Sequence, residues 1–199
     1  MKNYTGKNEQ EAVNSACQDL GVTIDELNYQ IVSETKSLFK KEVEISCYTT
    51  KMVQEYIENY VRKIISEMDL EVETVSYIQN DRIYCNINSS NNSILIGKGG
   101  VILRALTFIV RNAVSTTFKN RMQVSLDING YKEDRYHKVA AMAKRFGKQV
   151  QRTKQEIKLD PMPADERLVM HQELSNYDHV KTESFGEGRN RHIVISYVD

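Results

Sequence analysis

Four consecutive residues, Gly97-Lys98-Gly99-Gly100, form a glycine-rich segment with one central cation. Glycine has no Cβ, so a sugar-phosphate backbone can approach such a turn closely, and amides at the start of a following helix point at phosphate. The segment lacks the spacing of a nucleoside-triphosphate loop and the third glycine of a dinucleotide fingerprint. Two interpretations remain: a GXXG turn that binds a nucleic-acid backbone, together with the nearby Arg104, or an ordinary connection between two helices.

Arg167 and His171 are a second candidate pair, because their i, i+4 spacing places both on one face of a predicted helix. An arginine guanidinium binds phosphate with two hydrogen bonds. A near-neutral imidazole stacks on a base or donates a hydrogen bond to phosphate. On an exposed face, alanine at either position should change stability by no more than about 0.5 kcal/mol. The alternatives are an arginine paired with a nearby acid, an ordinary surface histidine, or a structural clamp onto the neighbouring sheet.

A third group of cations lies along another predicted helix. Lys144, Lys148 and Arg152 follow one another at i, i+4, i+8 and therefore form a stripe. Such a stripe suits a sequence-independent track for phosphates. The alternative is a solvated helix face.

The sequence offers few candidate catalytic residues. The best acid-base pair would join His171 to Glu166 or Glu173, yet the sequence shows no carboxylate dyad, no nucleophile beside a base and no metal-ligand cluster. The cysteines Cys17, Cys47 and Cys85 are widely spaced and fit reduced thiols rather than a zinc site. We therefore predict no enzyme activity, no catalytic residue, no metal and no cofactor.

Charge is balanced overall but divided along the chain. The 199 residues carry 27 basic and 27 acidic side chains. Residues 1–96 hold 9 basic and 15 acidic side chains, a net of −6, whereas residues 97–199 hold 18 and 12, a net of +6. This asymmetry favours a polyanion partner for the C-terminal half. No signal-peptide core is visible, and Arg104 interrupts the longest apolar stretch, so we expect a cytoplasmic protein without membrane insertion.

Hydrophobic periodicity predicts the elements that must position these residues. In the first half the predicted helices are Glu9–Leu20, Thr23–Leu27 and Thr50–Met68, and the strands are Tyr29–Val32, Val43–Tyr48, Leu70–Ile78 and Ile83–Ile87.

The glycine segment is preceded by the short apolar stretch Ile94–Ile96 and followed by a predicted helix, Val101–Phe118. A strand at Met122–Ile128 comes next, with an outer face of Gln123, Ser125 and Asp127. The expected apolar stripe of the helix is Ile102, Leu106, Ile109, Val110 and Ala113.

The C-terminal third predicts two helices and two strands. The long helix Tyr131–Lys154 carries the basic stripe, and Pro163 suits the first turn of a helix that ends near Leu174. Strands follow at Val180–Phe185 and His192–Val198, around the turn Gly186-Glu187-Gly188.

The stretch ILIGKGGVILRALTFIV, in an α-β-β-α-α-β order, resembles a type II KH domain. The resemblance covers about Thr50–Asn129. It implies a single-stranded nucleic-acid binding fold whose GXXG loop, Gly97–Gly100, contacts the backbone.

The stretch DPMPADERLVMHQELSNYDHVKTESFGEGRNRHIVI resembles an R-3-H domain, a single-stranded nucleic-acid binding module with an Arg-xxx-His motif. Arg167 and His171 carry that motif. KH and R-3-H modules joined by SLDINGYKEDR look like the bacterial Jag (SpoIIIJ-associated) family. That family often has a KGFLG-type segment, where this chain has Lys36-Ser37-Leu38-Phe39-Lys40.

Together these features predict an α+β chain of three small domains: a Jag N-terminal-like α/β module at 1–50, a type II KH domain at 51–130 and an R-3-H domain at 131–199. The expected function is binding of single-stranded RNA, or single-stranded DNA, as a post-transcriptional regulator or RNA chaperone. Family membership implies links to cell envelope, division or sporulation, and a small single-KH partner; a homodimer is also open. The alternative is a protein-binding scaffold that uses the acidic N-terminal half and exposed Tyr56 and Tyr60.

Overall fold

The computed structural model describes residues 1–36 and 41–199 and divides into two compact units, Met1–Asn129 and Gly130–Asp199. The stretch matched to the KGFLG-type segment falls at residues 36–40, of which 37–40 lie outside the described residues.

The first part of unit one is a helix packed on a small sheet. Its three strands are antiparallel in the order β1-β3-β2, with a bulge between Ile31 and Ser33. The sequence missed β1, because KNYTG is short and polar. Asn8 caps the helix, and Ala12, Val13 and Ala16 bury its inner face. The elements are β1 (Lys2–Gly6), α1 (Glu9–Leu20), a 3-10 turn (Ile24–Glu26), β2 (Leu27–Lys36) and β3 (Lys41–Thr49).

The remainder of unit one has the predicted α-β-β-α-α-β order. Strands β4 and β5 pair antiparallel, and β5 and β6 pair parallel, in the sheet order β4-β5-β6. Alternate residues of β5 and β6 are buried beneath the long helices, as period-two patterning requires. The elements are α2 (Thr50–Ser66), β4 (Val72–Gln79), β5 (Arg82–Ser89), α3 (Asn92–Ile96), α4 (Val101–Phe118) and β6 (Gln123–Ile128).

The predicted apolar stripe of α4 is partly wrong. Ile102 and Ile109 are 41% and 46% exposed. The helix is apolar around much of its circumference, so period alone could not choose the buried face. The buried residues are Leu103, Leu106, Val110, Val114 and Phe118.

Two further predictions about exposed side chains are wrong. Ser125 is 7% exposed and lies opposite the larger Tyr84 in the strand register. Tyr56 and Tyr60 are half-buried: their rings stack at 5.7 Å, and Tyr56 also meets the Phe118 ring edge-on at 5.4 Å. This aromatic contact fixes α2 to the end of α4.

Residues 92–118 contain a helical stretch that could cross a membrane by length and composition alone. The glycine turn divides this stretch into α3 and α4. Because α4 supplies five buried residues to unit one, we interpret it as a core helix.

Unit two packs two helices against one face of a three-stranded antiparallel sheet ordered β7-β9-β8. The core joins Val139, Ala143 and Val150 of the long helix to Met170 and Leu174 of the second helix. Pro163 caps that second helix instead of lying within its first turn. The elements are α5 (Tyr131–Thr153), β7 (Ile157–Lys158), α6 (Ala164–Leu174), β8 (Val180–Phe185), a 3-10 turn (Gly188–Asn190) and β9 (His192–Tyr197).

Gly147 sets how closely α5 and α6 approach. It is buried, and a Cβ at this position would lie 2.6 Å from Leu174 Cδ2 and 3.0 Å from Tyr177 Cδ1. These contacts are shorter than carbon atoms tolerate, so the two helices meet at a distance that only glycine allows.

Candidate nucleic-acid interface

The glycine loop has a positive-φ backbone, which glycine adopts at the least cost. Gly97 ends α3 with φ 69° and ψ 176°, and Gly99 and Gly100 also have positive φ. A Cβ on Gly97 would lie 2.7 Å from Ile102 Cγ1. The turn is therefore specified by its glycines, and α4 begins directly behind it.

The loop presents an exposed cation and a second cation that braces it. Lys98 and Gly99 are exposed, whereas Gly100 is buried. Arg104 lies one turn into α4, and its Nη1 donates to the Gly99 carbonyl oxygen at 2.7 Å. The predicted residues thus come together at the N-terminus of an 18-residue helix, where partial positive charge favours phosphate.

The basic stripe lies on the solvent side of α5, opposite the buried residues of that helix. Lys144, Lys148 and Arg152 are all exposed. Lys144 Nζ also lies 3.3 Å from Glu173 Oε2 on α6. We therefore expect Lys148 and Arg152 to be more available to an anion than Lys144.

Arg167 and His171 both reach from α6 to the edge strand β8. Arg167 Nη1 donates to Ser184 Oγ at 2.9 Å, and its Nε donates to the Met162 carbonyl oxygen at 3.3 Å. His171 Nδ1 lies 2.7 Å from Thr182 Oγ1, and its Nε2 lies 3.1 Å from Ser184 Oγ. The two motif side chains therefore share Ser184 and join the helix to the strand.

These contacts alter the charge state expected of the pair. Both side chains are half-buried. Burial, together with the adjacent Arg167 guanidinium, lowers the pKa of His171 below its usual value. The imidazole is therefore neutral near pH 7, and it suits hydrogen bonding or stacking better than charge pairing.

Sequence reasoning missed Thr182 and Ser184. Both occupy alternate positions of β8, on the face that meets the helices. Two hydroxyl residues spaced i, i+2 on a strand beside an Arg/His helix are the signal that could have found them.

The acid-base pairing weighed for an enzyme is wrong. Glu166 is 3% exposed and accepts two hydrogen bonds from Arg135, from Nε at 3.0 Å and from Nη2 at 2.7 Å. Glu173 pairs with Lys144. Both carboxylates are thus held by cations, and His171 binds hydroxyls instead.

The cysteines do not suggest a nucleophile. Cys47 and Cys85 are buried free thiols, and Cys17 is a half-buried one. Burial raises the pKa of Cys85 to about 12 and also raises that of Cys47. These two thiols are protonated and unreactive at neutral pH.

Comparison with known proteins finds family matches that contain both the glycine loop and the Arg/His pair. Family profiles match three successive stretches: the Jag N-terminus at residues 4–48, the KhpA/KhpB type of KH domain at 54–128 and the R-3-H domain at 137–197. The Arg/His pair lies within the third match, and the glycine loop lies within the second.

Full-length relatives agree with these matches. The "RNA-binding protein KhpB" of Bacillus subtilis (strain 168) is 32% identical over 214 residues, which cover 99% of each chain. The protein of the same name from Clostridium symbiosum is 31% identical, over 98% of this chain and 91% of its own length. These relatives are named as RNA-binding proteins and not as enzymes. With three domain matches in the same order and this full-length similarity, the chain belongs to the Jag family of KH and R-3-H domain proteins.

Proposed function

We propose that this chain binds single-stranded RNA through its KH loop and its R-3-H surface, as a post-transcriptional regulator or RNA chaperone. The observation that carries the proposal is the glycine loop, where Gly97, Gly99 and Gly100 have positive φ and where Lys98 and Gly99 are exposed to a phosphate chain. Single strands suit it because their backbone can follow a GXXG turn while the bases splay outwards.

The second surface supports the same function. Arg167 and His171 converge beside β8, and on α5 the basic stripe adds three exposed cations. Guanidinium and neutral imidazole together can hold phosphate and stack on a base. The proposed RNA-binding residues are Gly97, Lys98, Gly99, Gly100, Arg104, Lys144, Lys148, Arg152, Arg167 and His171.

The proposal also covers the domain boundaries, the cellular location and the pathways of this protein. Three functional domains with boundaries 1–50, 51–130 and 131–199 are supported by the separate family matches. We place the protein in the cytoplasm, without catalytic activity, and we take envelope, division or sporulation functions as the pathways to test first. Single-stranded DNA remains a second ligand of the same chemistry.

Binding is tested with the full chain and a labelled random-sequence oligoribonucleotide, followed by fluorescence anisotropy between about 50 and 200 mM salt. We expect saturable binding that weakens with salt, and weaker binding to a duplex of the same sequence. Failure of the folded chain to bind the single strand at the lowest salt would refute the proposal.

The basic stripe should act as a phosphate track. Changing Lys144, Lys148 and Arg152 together to Gln should flatten the slope of log affinity against log salt by about 0.7 for each phosphate that is no longer neutralised. Because Lys144 already pairs with Glu173, Lys148→Gln should change the slope more than Lys144→Gln. A slope equal to that of the unchanged chain would show that the stripe only solvates α5.

The exposed face of α4 favours a protein contact as a second function. Val101, Ile102, Phe108 and Ile109 are 53%, 41%, 68% and 46% exposed along one helix. A contiguous apolar face of this kind marks an interaction surface. We propose a second copy of this chain as its occupant, with α4 against α4, because an isologous contact lets the same apolar face cover itself.

Sedimentation of the full chain tests the α4 contact. Phe108→Glu should convert a dimer into a monomer, whereas Val75→Glu, at a residue 66% exposed on β4, should not. A monomeric unchanged chain would point instead to a small single-KH protein or to a scaffold role.

A further inference from the structure

The hairpin between β8 and β9 ends in an exposed aromatic ring among cations. Phe185 is the last residue of β8 and is 48% exposed. It pairs in the register with His192, the first residue of β9, on the sheet face opposite the helices. Arg189 and Arg191 in the connecting turn are exposed, against one acid, Glu187.

The turn that carries these side chains has a defined backbone. Gly186 has φ 82°, and a Cβ there would lie 2.8 Å from the Asn190 carbonyl oxygen. The Asn190 amide donates to the Glu187 carbonyl at 3.0 Å, and His192 Nδ1 lies 2.9 Å from the Asn190 carbonyl oxygen. Because hydrogen bonds within the turn define its backbone, Arg189 and Arg191 extend from fixed positions.

The hairpin is continuous with the Arg/His pair on both of its strands. On β8, Ser184, which accepts from Arg167, directly precedes Phe185. On the β9 side, the Met162 amide donates to the Arg191 carbonyl at 3.1 Å, and the Met162 carbonyl accepts from Arg167. Ser184 and Phe185 point to opposite faces of the sheet, but β8 is its edge strand, so a single strand that passes around this edge can reach Arg167 on one side and Phe185 on the other.

The chemistry of this surface suits an anionic strand that carries planar rings. An exposed aromatic face stacks on nucleobases, and arginines beside it hold the phosphates. A single ring among cations gives too little apolar area to bind an apolar protein surface, because such binding needs a larger contiguous patch.

We propose that the β8–β9 hairpin is a base-stacking subsite for single-stranded RNA, in which Phe185 stacks on a base and Arg189 and Arg191 bind phosphate. The proposal rests on RNA binding by the chain, as put forward above, and it extends the surface of Arg167 and His171 around the edge of the sheet.

The chain contains no tryptophan, so Phe185→Trp places a unique fluorophore at the proposed stacking position. Titration of this full-length variant with a single-stranded oligoribonucleotide should quench the indole emission, with affinity near that of the unchanged chain. Ile24→Trp is the matched control, because Ile24 is 51% exposed and is followed by the acidic residues Asp25 and Glu26. Its indole should keep its emission.

Affinity measurements give an independent readout. Phe185→Ala and Phe185→Leu should both weaken binding about 5- to 150-fold, since leucine keeps apolar area but not the ring, while Phe185→Tyr should bind normally. An abasic ribose-phosphate oligomer should bind equally to the unchanged chain and to Phe185→Ala. Arg189→Gln with Arg191→Gln should flatten the salt slope by about 0.7 for each arginine.

The outcomes separate this subsite from the proposed function. If the unchanged chain binds RNA, but the indole at position 185 is not quenched and Phe185→Ala keeps full affinity, the subsite is wrong and RNA binding stands. If the unchanged chain binds no RNA, both proposals fall. Far-ultraviolet circular dichroism of each variant checks that the exposed substitutions leave the fold unchanged.

Discussion

The glycine loop and the Arg/His pair supply opposite kinds of chemistry. The loop works through backbone shape: its glycines have positive φ, and Lys98 stands exposed. The pair works through side chains that already hold partners, since Arg167 and His171 both contact Ser184. A ligand at the loop can bind without breaking internal contacts, whereas a ligand at the pair must share or replace them. Function and stability should therefore be separable in the first region and coupled in the second.

The largest effect should come from changing the loop glycines themselves. Gly97→Asp with Gly100→Asp is expected to destabilise unit one by about 2 kcal/mol or more, because both residues have positive φ and a Cβ on Gly97 meets Ile102. The glycine motif alone would predict that this double variant loses RNA binding and keeps its fold, whereas the backbone angles predict a loss of stability as well. Urea unfolding followed by circular dichroism distinguishes an intact fold from a destabilised one. An unchanged urea midpoint of unfolding would contradict the strain argument.

A milder loop variant should separate binding from folding. Lys98→Glu with Gly99→Asp should weaken RNA binding about tenfold or more while destabilising unit one by only about 1 kcal/mol. Aspartate tolerates the left-handed backbone of Gly99, and a Cβ there has open space. Anisotropy and melting temperature, measured on the same preparation, test both halves. Full affinity in this folded variant would exclude the loop as an RNA site.

Arg167→Ala should lower both stability and affinity. This substitution removes the donors to Ser184 and to the Met162 carbonyl, which we expect to cost about 1 kcal/mol rather than the negligible amount expected for an exposed face. Adding His171→Ala also removes the bond to Thr182, but the total cost should be less than the sum of the two single changes, because the two residues share Ser184. Urea midpoints for the single and double variants test this. Fully additive costs would show that the pair is not one unit.

The smallest effect is a pH dependence. Since the folded state lowers the pKa of His171, the unfolded chain binds the proton more readily. Stability of unit two should be complete above the unfolded pKa of about 6.5 and should fall as pH drops through the folded value. His171→Gln should remove that part of the decline. If the variant and the unchanged chain lose stability in parallel between neutral and acidic pH, His171 is not the group responsible.

The sequence predicted the α-β-β-α-α-β order, because each amphipathic helix and alternating strand carries its own periodicity. It missed the short strand Lys2–Gly6, whose pairing with β3 is a long-range contact that five mostly polar residues do not signal. It also misassigned the buried face of α4, since Ile102 and Ile109 are as apolar as the residues that pack. For helices that are apolar all round, neighbouring elements decide which side is buried.

The same limit applies to the candidate site. The spacing of Arg167 and His171 predicted a shared face, but it could not show that Ser184 and Thr182 would meet them. Those contacts depend on how α6 packs against β8, and no local pattern encodes that packing. The glycine loop was more predictable, because its conformation is determined by residues adjacent in sequence.

The close approach at Gly147 makes the residues tolerated at positions 147 and 174 depend on each other. Any side chain at 147 would collide with Leu174, and a smaller residue at 174 would leave a cavity that an alanine at 147 partly fills. Each substitution alone should be destabilising, and the two together still require the Tyr177 ring, 3.0 Å from the same Cβ, to shift. The position of helix α6, and with it that of Arg167 and His171, therefore depends on the buried contacts of residues 147, 174 and 177, which lie outside the proposed RNA-binding set.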